Sequence, residues 1–279
     1  MAKLSTLPPN FTKRVMVYGP PKSGKSQLAA TLAQKHQVLW LDVEQGGDVL
    51  WKLPEAVKEN IDYINIKDSP TNIVALATTL LLLNGHKGEM CHRHSKFRCQ
   101  PCTVLASKDT PENRGNYFEQ MDTATIRKEN SKILVIDSLT QIRTSLYTHI
   151  SKGDIDYKFE FDDWARLNNG LDQIQSTAQT AGWDIVIISH EDEVKMTDGK
   201  ETKIVPIGAT RNNSRNLAKF YTDLVYCTTK NGKHVAYSKS TQQANLQTGS
   251  RSDVDLTKYP EPTLLPFFEH RLALGLDKP

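Results

Sequence analysis

Gly19-Pro20-Pro21-Lys22-Ser23-Gly24-Lys25-Ser26 follows the apolar run Val15-Met16-Val17-Tyr18 and opens a helix-prone segment, 26–34. It is the G-x-x-x-x-G-K-[ST] pattern in the strand, loop, helix setting that the pattern requires. The spacing has a mechanical reason. Backbone N–H groups wrap a polyphosphate only where the chain turns tightly and the ligand comes close, which glycine permits, and the helix N-terminus behind the loop adds partial positive charge. Lys25 is placed to reach the β- and γ-phosphates, Ser26 to offer its hydroxyl to Mg²⁺, and Gln27 completes the set of binding residues. The competing reading is an ordinary strand-to-helix turn rich in small residues. The flanking strand and helix favour the motif, and with it a nucleoside triphosphate as ligand.

The rest of the composition bounds this reading. A chain of 279 residues with 38% apolar and 24% charged residues is that of an ordinary globular protein. A formal charge of +3 is too small to establish a nucleic-acid partner, so one must be argued from where charges cluster. The N-terminus lacks the apolar core of a secretory signal and no apolar run is long enough to span a bilayer, so the expectation is a cytoplasmic protein with no membrane partner. Four cysteines, three of them between Cys91 and Cys102, argue against a disulfide framework.

Apolar runs at Gln37–Val43, Tyr63–Ile66, Lys132–Asp137 and Trp183–His190 read as strands, with helices expected near 72–83 and 161–181. Strands alternating with helices give an α/β domain whose mostly parallel, twisted sheet is covered on both faces. The periodicity breaks between Gly85 and about Asn130, and again over the polar stretch 191–216, which reads as a functional loop. Residues 1–12 look like an arm, Lys230-Asn231-Gly232-Lys233 like a hairpin with a type I′ turn, and 250–279, rich in proline, like a peripheral tail. The whole, 1–279, reads as one core.

A triphosphate site needs carboxylates at the sheet's carboxyl edge. Asp137 ends an apolar strand, as the residue holding Mg²⁺ should, but Ser138 follows it in place of a glutamate, so the base must come from elsewhere. Glu44, at the end of the strand after the phosphate-loop helix, is the candidate to orient or deprotonate the attacking water. His190 ends another strand at that edge and can sense the γ-phosphate through a hydrogen bond.

At these residues the chain resembles the RecA family. Leu41-Asp-Val-Glu-Gln-Gly-Gly-Asp-Val-Leu-Trp51 is similar to the segment in which a glutamate activates water, an aspartate contacts adenine and an aromatic ring stacks on it, roles that fall here on Glu44, Asp48 and Trp51. Val135-Ile-Asp-Ser138 resembles the family's Asp-Ser strand end, and Ile187-Ile-Ser-His190 leads into a long loop that in RecA-like recombinases holds single-stranded DNA. The resemblance covers about 14–240 and looks closest to the small phage RecA-core ATPases associated with single-strand annealing. It implies a RecA-like P-loop NTPase fold, ATP and Mg²⁺ as cofactors, DNA-dependent hydrolysis, a filament or ring with nucleotide between subunits, and a single-stranded-DNA-binding protein as a further partner. Two departures stand out. His190 replaces the family's glutamine, and the paired lysines that reach a neighbour's phosphates have no clean match, Lys233, Lys239 and Arg251 being the candidates.

Cys91-His-Arg-His94-Ser-Lys-Phe-Arg-Cys99-Gln-Pro-Cys102 departs from that pattern altogether. Two short chelating pairs present four N/S ligands to one tetrahedral Zn²⁺ at little loop-closure cost, so 86–104 reads as a zinc-binding insertion with Cys91, His94, Cys99 and Cys102 as ligands. His92 and His86 are the substitute fourth ligands. With four protein ligands the metal is structural. Three unrelated free cysteines in a loop are the alternative.

The stretch after His190 carries Lys195, Lys200, Lys203, Arg211, Arg215 and Lys219, donors that suit a phosphodiester track, with Lys195, Lys203, Arg211 and Arg215 as the DNA-binding set. It lacks stacking aromatics of its own. A second loop, about 147–163, carries Tyr157, Phe159 and two lysines among five acidic residues. The reading is an ATP-dependent, single-stranded-DNA-binding recombination protein that promotes annealing or exchange. A DnaB-like helicase or packaging motor shares the core, and a nucleotide-gated adaptor with little turnover is the alternative from another class.

Overall fold

Residues 12–195, 201–240 and 245–276 are described by the computed structural model. Of the sequence expectations, the arm before Thr12, Gly199, Lys200 and the last three residues of the tail lie outside them. The strands are β1 Arg14–Tyr18, β2 Val38–Asp42, β3 Ile61–Asn65, β4 Lys87–Cys91, β5 Phe118–Asp122, β6 Ile133–Asp137, β7 Ile185–Ser189, β8 Glu191–Lys195, β9 Thr202–Pro206, β10 Asp223–Lys230, β11 Lys233–Tyr237 and β12 Gly249–Ser250. One eight-stranded sheet runs in the order β11-β10-β1-β7-β6-β2-β3, with β12 also on β10. From β10 to β3 every pairing is parallel, and only β11 and β12 run the other way.

Strands buried on both faces read as continuous apolar runs, because successive side chains point to opposite sides and each side meets a covering layer. Met16, Leu39, Leu134 and Ile187 pack under the helices Ala75–Leu83, Leu139–Ser151 and Phe161–Thr180. Their neighbours Val15, Val38, Val135 and Val186 face Leu28 and Leu32. The Asn231-Gly232 turn joins β10 to β11 with Lys230 opposite Lys233, both turn residues at positive φ (51° and 75°), as a type I′ turn needs.

Four expectations change. The tail is no peripheral segment: Leu256, Leu264, Phe267 and Phe268 are buried in the second core layer, so proline content there marks turns within a packed segment. The stretch 191–216 is no open loop but the antiparallel hairpin β8–β9 followed by the helix Arg211–Asn216. The hairpin's covered residues, Val194, Val205 and Pro206 with Ile204 packed on the main core, are interleaved with charged ones, which leaves its sequence looking polar. The second loop is shorter than 147–163, since the helix Leu139–Ser151 runs past Tyr147 and the Glu160–Asp163 capping box starts the next one. The insertion is longer than 86–104. β4 pairs with β5, and its ends close where Thr123 N donates to His86 O (2.9 Å) and His86 N to Thr123 Oγ1 (2.8 Å).

The tail is also locked electrostatically. Fully buried Arg271 donates to the fully buried Asp184 carboxylate at 2.8 Å, which also accepts from Lys13 N at 2.7 Å. Burial works to raise the Asp184 carboxyl, but the hydrogen bonds from His270, Lys13 N and Arg271 hold it below its ordinary pKa. Arg271→Ala leaves that buried charge without its guanidinium partner and is expected to cost about 3–5 kcal/mol in urea unfolding at neutral pH. A depressed carboxylate contributes stability above its unfolded pKa and loses it as pH falls, so the gap between the two proteins should narrow below about pH 4.

Candidate functional site at the carboxyl edge of the sheet

The phosphate loop leaves β1 through Gly19, where a Cβ would sit 1.9 Å from Cys227 O, and enters its helix through Gly24 at φ +87°, where a Cβ would meet the His234 ring at 2.7 Å. Both positions therefore require glycine. Pro20, Pro21 and Lys22 form the outer rim, Ser23 is buried beneath it, and Gln27 stands exposed on the first helical turn. Lys25 is only 7% exposed and its Nζ donates to Gly19 O (3.0 Å) and Pro20 O (2.7 Å) inside the loop. Burial lowers its pKa, opposed by Cys227 and the carboxylates of Glu44 and Asp137. Ser26 Oγ donates to Asp137 Oδ2 at 2.7 Å, so a hydroxyl and a carboxylate oxygen sit together at the loop. That is the hard-oxygen donor set that Mg²⁺ takes alongside phosphate oxygens, and the two residues fit the ion.

Adjacent parallel strands bring the other carboxylate in. Val43 N and Glu44 N both donate to Asp137 O (2.6 and 3.0 Å), continuing the β2–β6 ladder past the strand ends. Asp42, buried, accepts from Gly46 N, Gly47 N and Tyr63 Oη (3.2, 3.0 and 2.6 Å), which fixes the turn that carries Glu44. Glu44 Oε2 accepts from Ser138 Oγ at 2.7 Å, and Glu44 Oε1 lies 3.2 Å from His190 Nε2. His190 is itself held, its backbone N donating to Thr140 Oγ1 at 2.8 Å. The hydrogen bond from His190 draws the Glu44 pKa down, with Ser138 and Lys25 helping and burial opposing. Asp137 moves the other way: burial, with Glu44 and Asp42 nearby, pushes it up to about 7 against the hydrogen bond from Ser26.

Lys25, Ser26, Glu44, Asp137 and His190 thus share one edge. Asp48 and Trp51 sit beside them, on an element that packs against the phosphate-loop helix. They lie on the short helix Asp48–Trp51, with Trp51 68% exposed and its ring edge-on to Tyr63. Ser138, noted in the sequence without a role of its own, and Asp42 are the functional neighbours that hold Glu44.

In the insertion, Cys91, His94, Cys99 and Cys102 bring their ligand atoms within 4.8 Å of one another. His94 Nδ1 stands 3.9, 3.4 and 3.3 Å from the sulfurs of Cys91, Cys99 and Cys102. Tetrahedral Zn²⁺, with bonds of about 2.3 Å to sulfur and 2.0 Å to nitrogen, sets S···N edges of about 3.5 Å, so these side chains fit the ion. The substitutes point elsewhere: His92 Nε2 is 3.1 Å from Gly115 O, and the His86 ring packs on Phe97. The knuckle is clamped to the end of β3, Ser95 Oγ donating to Asn65 O (2.9 Å) and accepting from Lys67 N (3.0 Å).

The basic candidates separate into two places. Lys195 and Lys203 lie at the end of the β8–β9 hairpin away from Glu191 and Pro206, Lys203 3.5 Å from Glu201. Arg211 lines a groove of about 520 Å³ with Arg143, Trp164, Asp192 and Gly208, while Arg215 is half-buried further along the same helix. Beside that groove Tyr147 stacks on Phe159 (4.2 Å), which meets Trp164 at 4.9 Å. Aromatic rings that the stretch 191–216 lacks are supplied by the two long helices.

No helix among the described residues is long and apolar enough to cross a membrane. No curated protein matches the chain. The family model described as an AAA domain matches residues 12–251, a span that holds the phosphate loop, both carboxylates and the insertion. With the loop, its lysine and the paired carboxylates on one sheet edge, the chain belongs to this AAA domain family, AAA_24, and is a P-loop ATPase of the AAA type.

Proposed function

We propose that the protein is a RecA-core ATPase that binds single-stranded DNA and uses ATP to promote strand annealing or exchange, assembling with further copies of itself. The observation that supports it most is the link between the two sites: His190, bonded to Glu44, is followed directly by β8, whose Asp192 lines the Arg143–Trp164–Arg211 groove. A strand seated in that groove, its bases stacked on Trp164 and its phosphates met by Arg143 and Arg211, would move β8 and with it the partner of Glu44.

In this reading Lys25 draws charge from the β- and γ-phosphates as water attacks in line, Glu44 orients and accepts the proton of that water, and Asp137 and Ser26 hold Mg²⁺. Mg²⁺, when bound, neutralises charge developing on the phosphate oxygens. A cation from a neighbouring copy completes the site. Lys239 is already paired with Asp253 at 2.7 Å, which favours Lys233 or Arg251 for that task. Zn²⁺ on Cys91, His94, Cys99 and Cys102 keeps the insertion folded.

The test is the ATPase rate with and without single-stranded DNA, together with annealing of complementary strands. Stimulation of wild type and its loss in Trp164→Ala, with basal turnover retained, is the expected result. Unwinding of a forked duplex would favour a helicase. DNA-insensitive, negligible turnover would favour a nucleotide-gated adaptor.

A further inference from the structure

A cleft of about 400 Å³ lies between the Cys/His knuckle and the main sheet, lined by Gln45 next to Glu44, by Asn65 at the end of β3, by Lys67, Ser69 and Thr71 of the loop that follows, and by Arg93. No apolar side chain lines it. Its frame is tied from within: Asn72 Nδ2 donates both to Lys67 O (2.6 Å) and to His94 O (3.0 Å), and Gln45 Nε2 donates to Asp68 O at 3.2 Å. The Asp68 carboxylate is buried and engaged, Oδ1 accepting from Val74 N, Ala75 N and Ser145 Oγ. What remains toward solvent is positive. Lys67 and Arg93 are exposed and neither has an ion-pair partner among the described residues, whereas elsewhere on the insertion Lys87 pairs with Asp122 and Arg114 with Glu89.

We infer that this cleft holds backbone phosphates of the single strand and makes the insertion a second DNA-contacting element, an inference that rests on the DNA-binding reading above. Phosphodiesters are met by Arg, Lys, Ser and Thr side chains, the types that line this opening, whereas a protein partner needs the apolar anchors that it lacks. With no aromatic ring to stack a base, the contact is to the backbone and independent of sequence. One helix joins the cleft to the Arg143–Trp164–Arg211 groove, since Leu139–Ser151 sends Ser145 to Asp68 and Arg143 into the groove. Neighbouring strands lie about 4.8 Å apart, so in the order β7-β6-β2-β3 the ends of β7 and β3 are about 14 Å from each other, the length of roughly four stacked nucleotides. A strand leaving the groove therefore reaches Lys67 and Arg93 within a few nucleotides.

Fluorescence anisotropy with a labelled single strand, repeated across salt concentrations, tests this directly. Lys67→Gln combined with Arg93→Gln should flatten the slope of log affinity against log salt by about 1.4, two phosphates at about 0.7 each, while Lys87→Gln, on the ion-paired part of the insertion, leaves it unchanged. Zinc content is measured in the same samples. If the double variant loses zinc, Lys67→Gln alone, which lies outside the insertion, decides by a change of about 0.7. An unchanged slope in zinc-loaded double variant would overturn the cleft and leave the Trp164 groove standing. A double variant that binds the strand like wild type but loses affinity for polyglutamate would overturn it too, in favour of an acidic protein. Failure of wild type to bind single strands would overturn the DNA-binding reading and the cleft with it.

Discussion

Glu44→Gln is expected to slow γ-phosphate hydrolysis by about 10²–10⁴-fold, the range by which a positioned general base accelerates such a step, while nucleotide binding persists. The neutral amide keeps one oxygen to accept from Ser138 or to face His190, so the turn set by Asp42 has no reason to shift. What disappears is the carboxylate that accepts the proton of water. Steady-state phosphate release against a fluorescent-nucleotide titration separates the two quantities. Equal turnover in both proteins would move the base elsewhere, whereas loss of both turnover and binding would show that Glu44 holds the loop together.

Removing the metal from the insertion is the second large effect. The Cys91, Cys99 and Cys102 sulfurs surround His94 Nδ1, and the small cluster they build contains, besides these cysteines, Ala106, Phe118 and the partly buried Tyr117. So small an apolar group cannot hold two strands and a short helix by itself. Structural Zn²⁺ contributes about 10–16 kcal/mol in zinc-finger peptides, as much as a whole domain's stability. Chelation, or Cys99→Ser, should therefore release zinc measurable by atomic emission and turn 87–122 from slow to fast hydrogen exchange. The main sheet should stay protected, because the insertion joins it through the His86–Thr123 staple and the Ser95 clamp. Retention of slow exchange after zinc loss would contradict the assignment.

How much of this was legible in the sequence follows from how local each signal is. The phosphate loop and the C-x₂-H-x₄-C-x₂-C run are fixed by short spacings, so motif and ligand set could be written down before any coordinates. Strands buried on both faces announce themselves as apolar runs, and β1, β2, β6 and β7 were found for that reason. The hairpin β8–β9 reads as a loop because charged residues interrupt its few covered positions, and the tail reads as peripheral because its prolines mask Leu264, Phe267 and Phe268. The turn of Glu44 depends on Asp42, Tyr63 and Ser138 from three strands or their ends, a convergence that no linear spacing displays. Trp51 took its role from spacing alone, and the fold leaves its ring exposed and edge-on to Tyr63.

The structure of Glu44→Gln protein crystallised with Mg²⁺ and ATP tests the central claim most directly. The account predicts intact ATP with its terminal phosphate on Lys25, Mg²⁺ between that phosphate and the Ser26–Asp137 pair, and a water between it and residue 44. A triphosphate bound away from Lys25, or one whose terminal phosphate faces neither residue 44 nor Asp137, would contradict it.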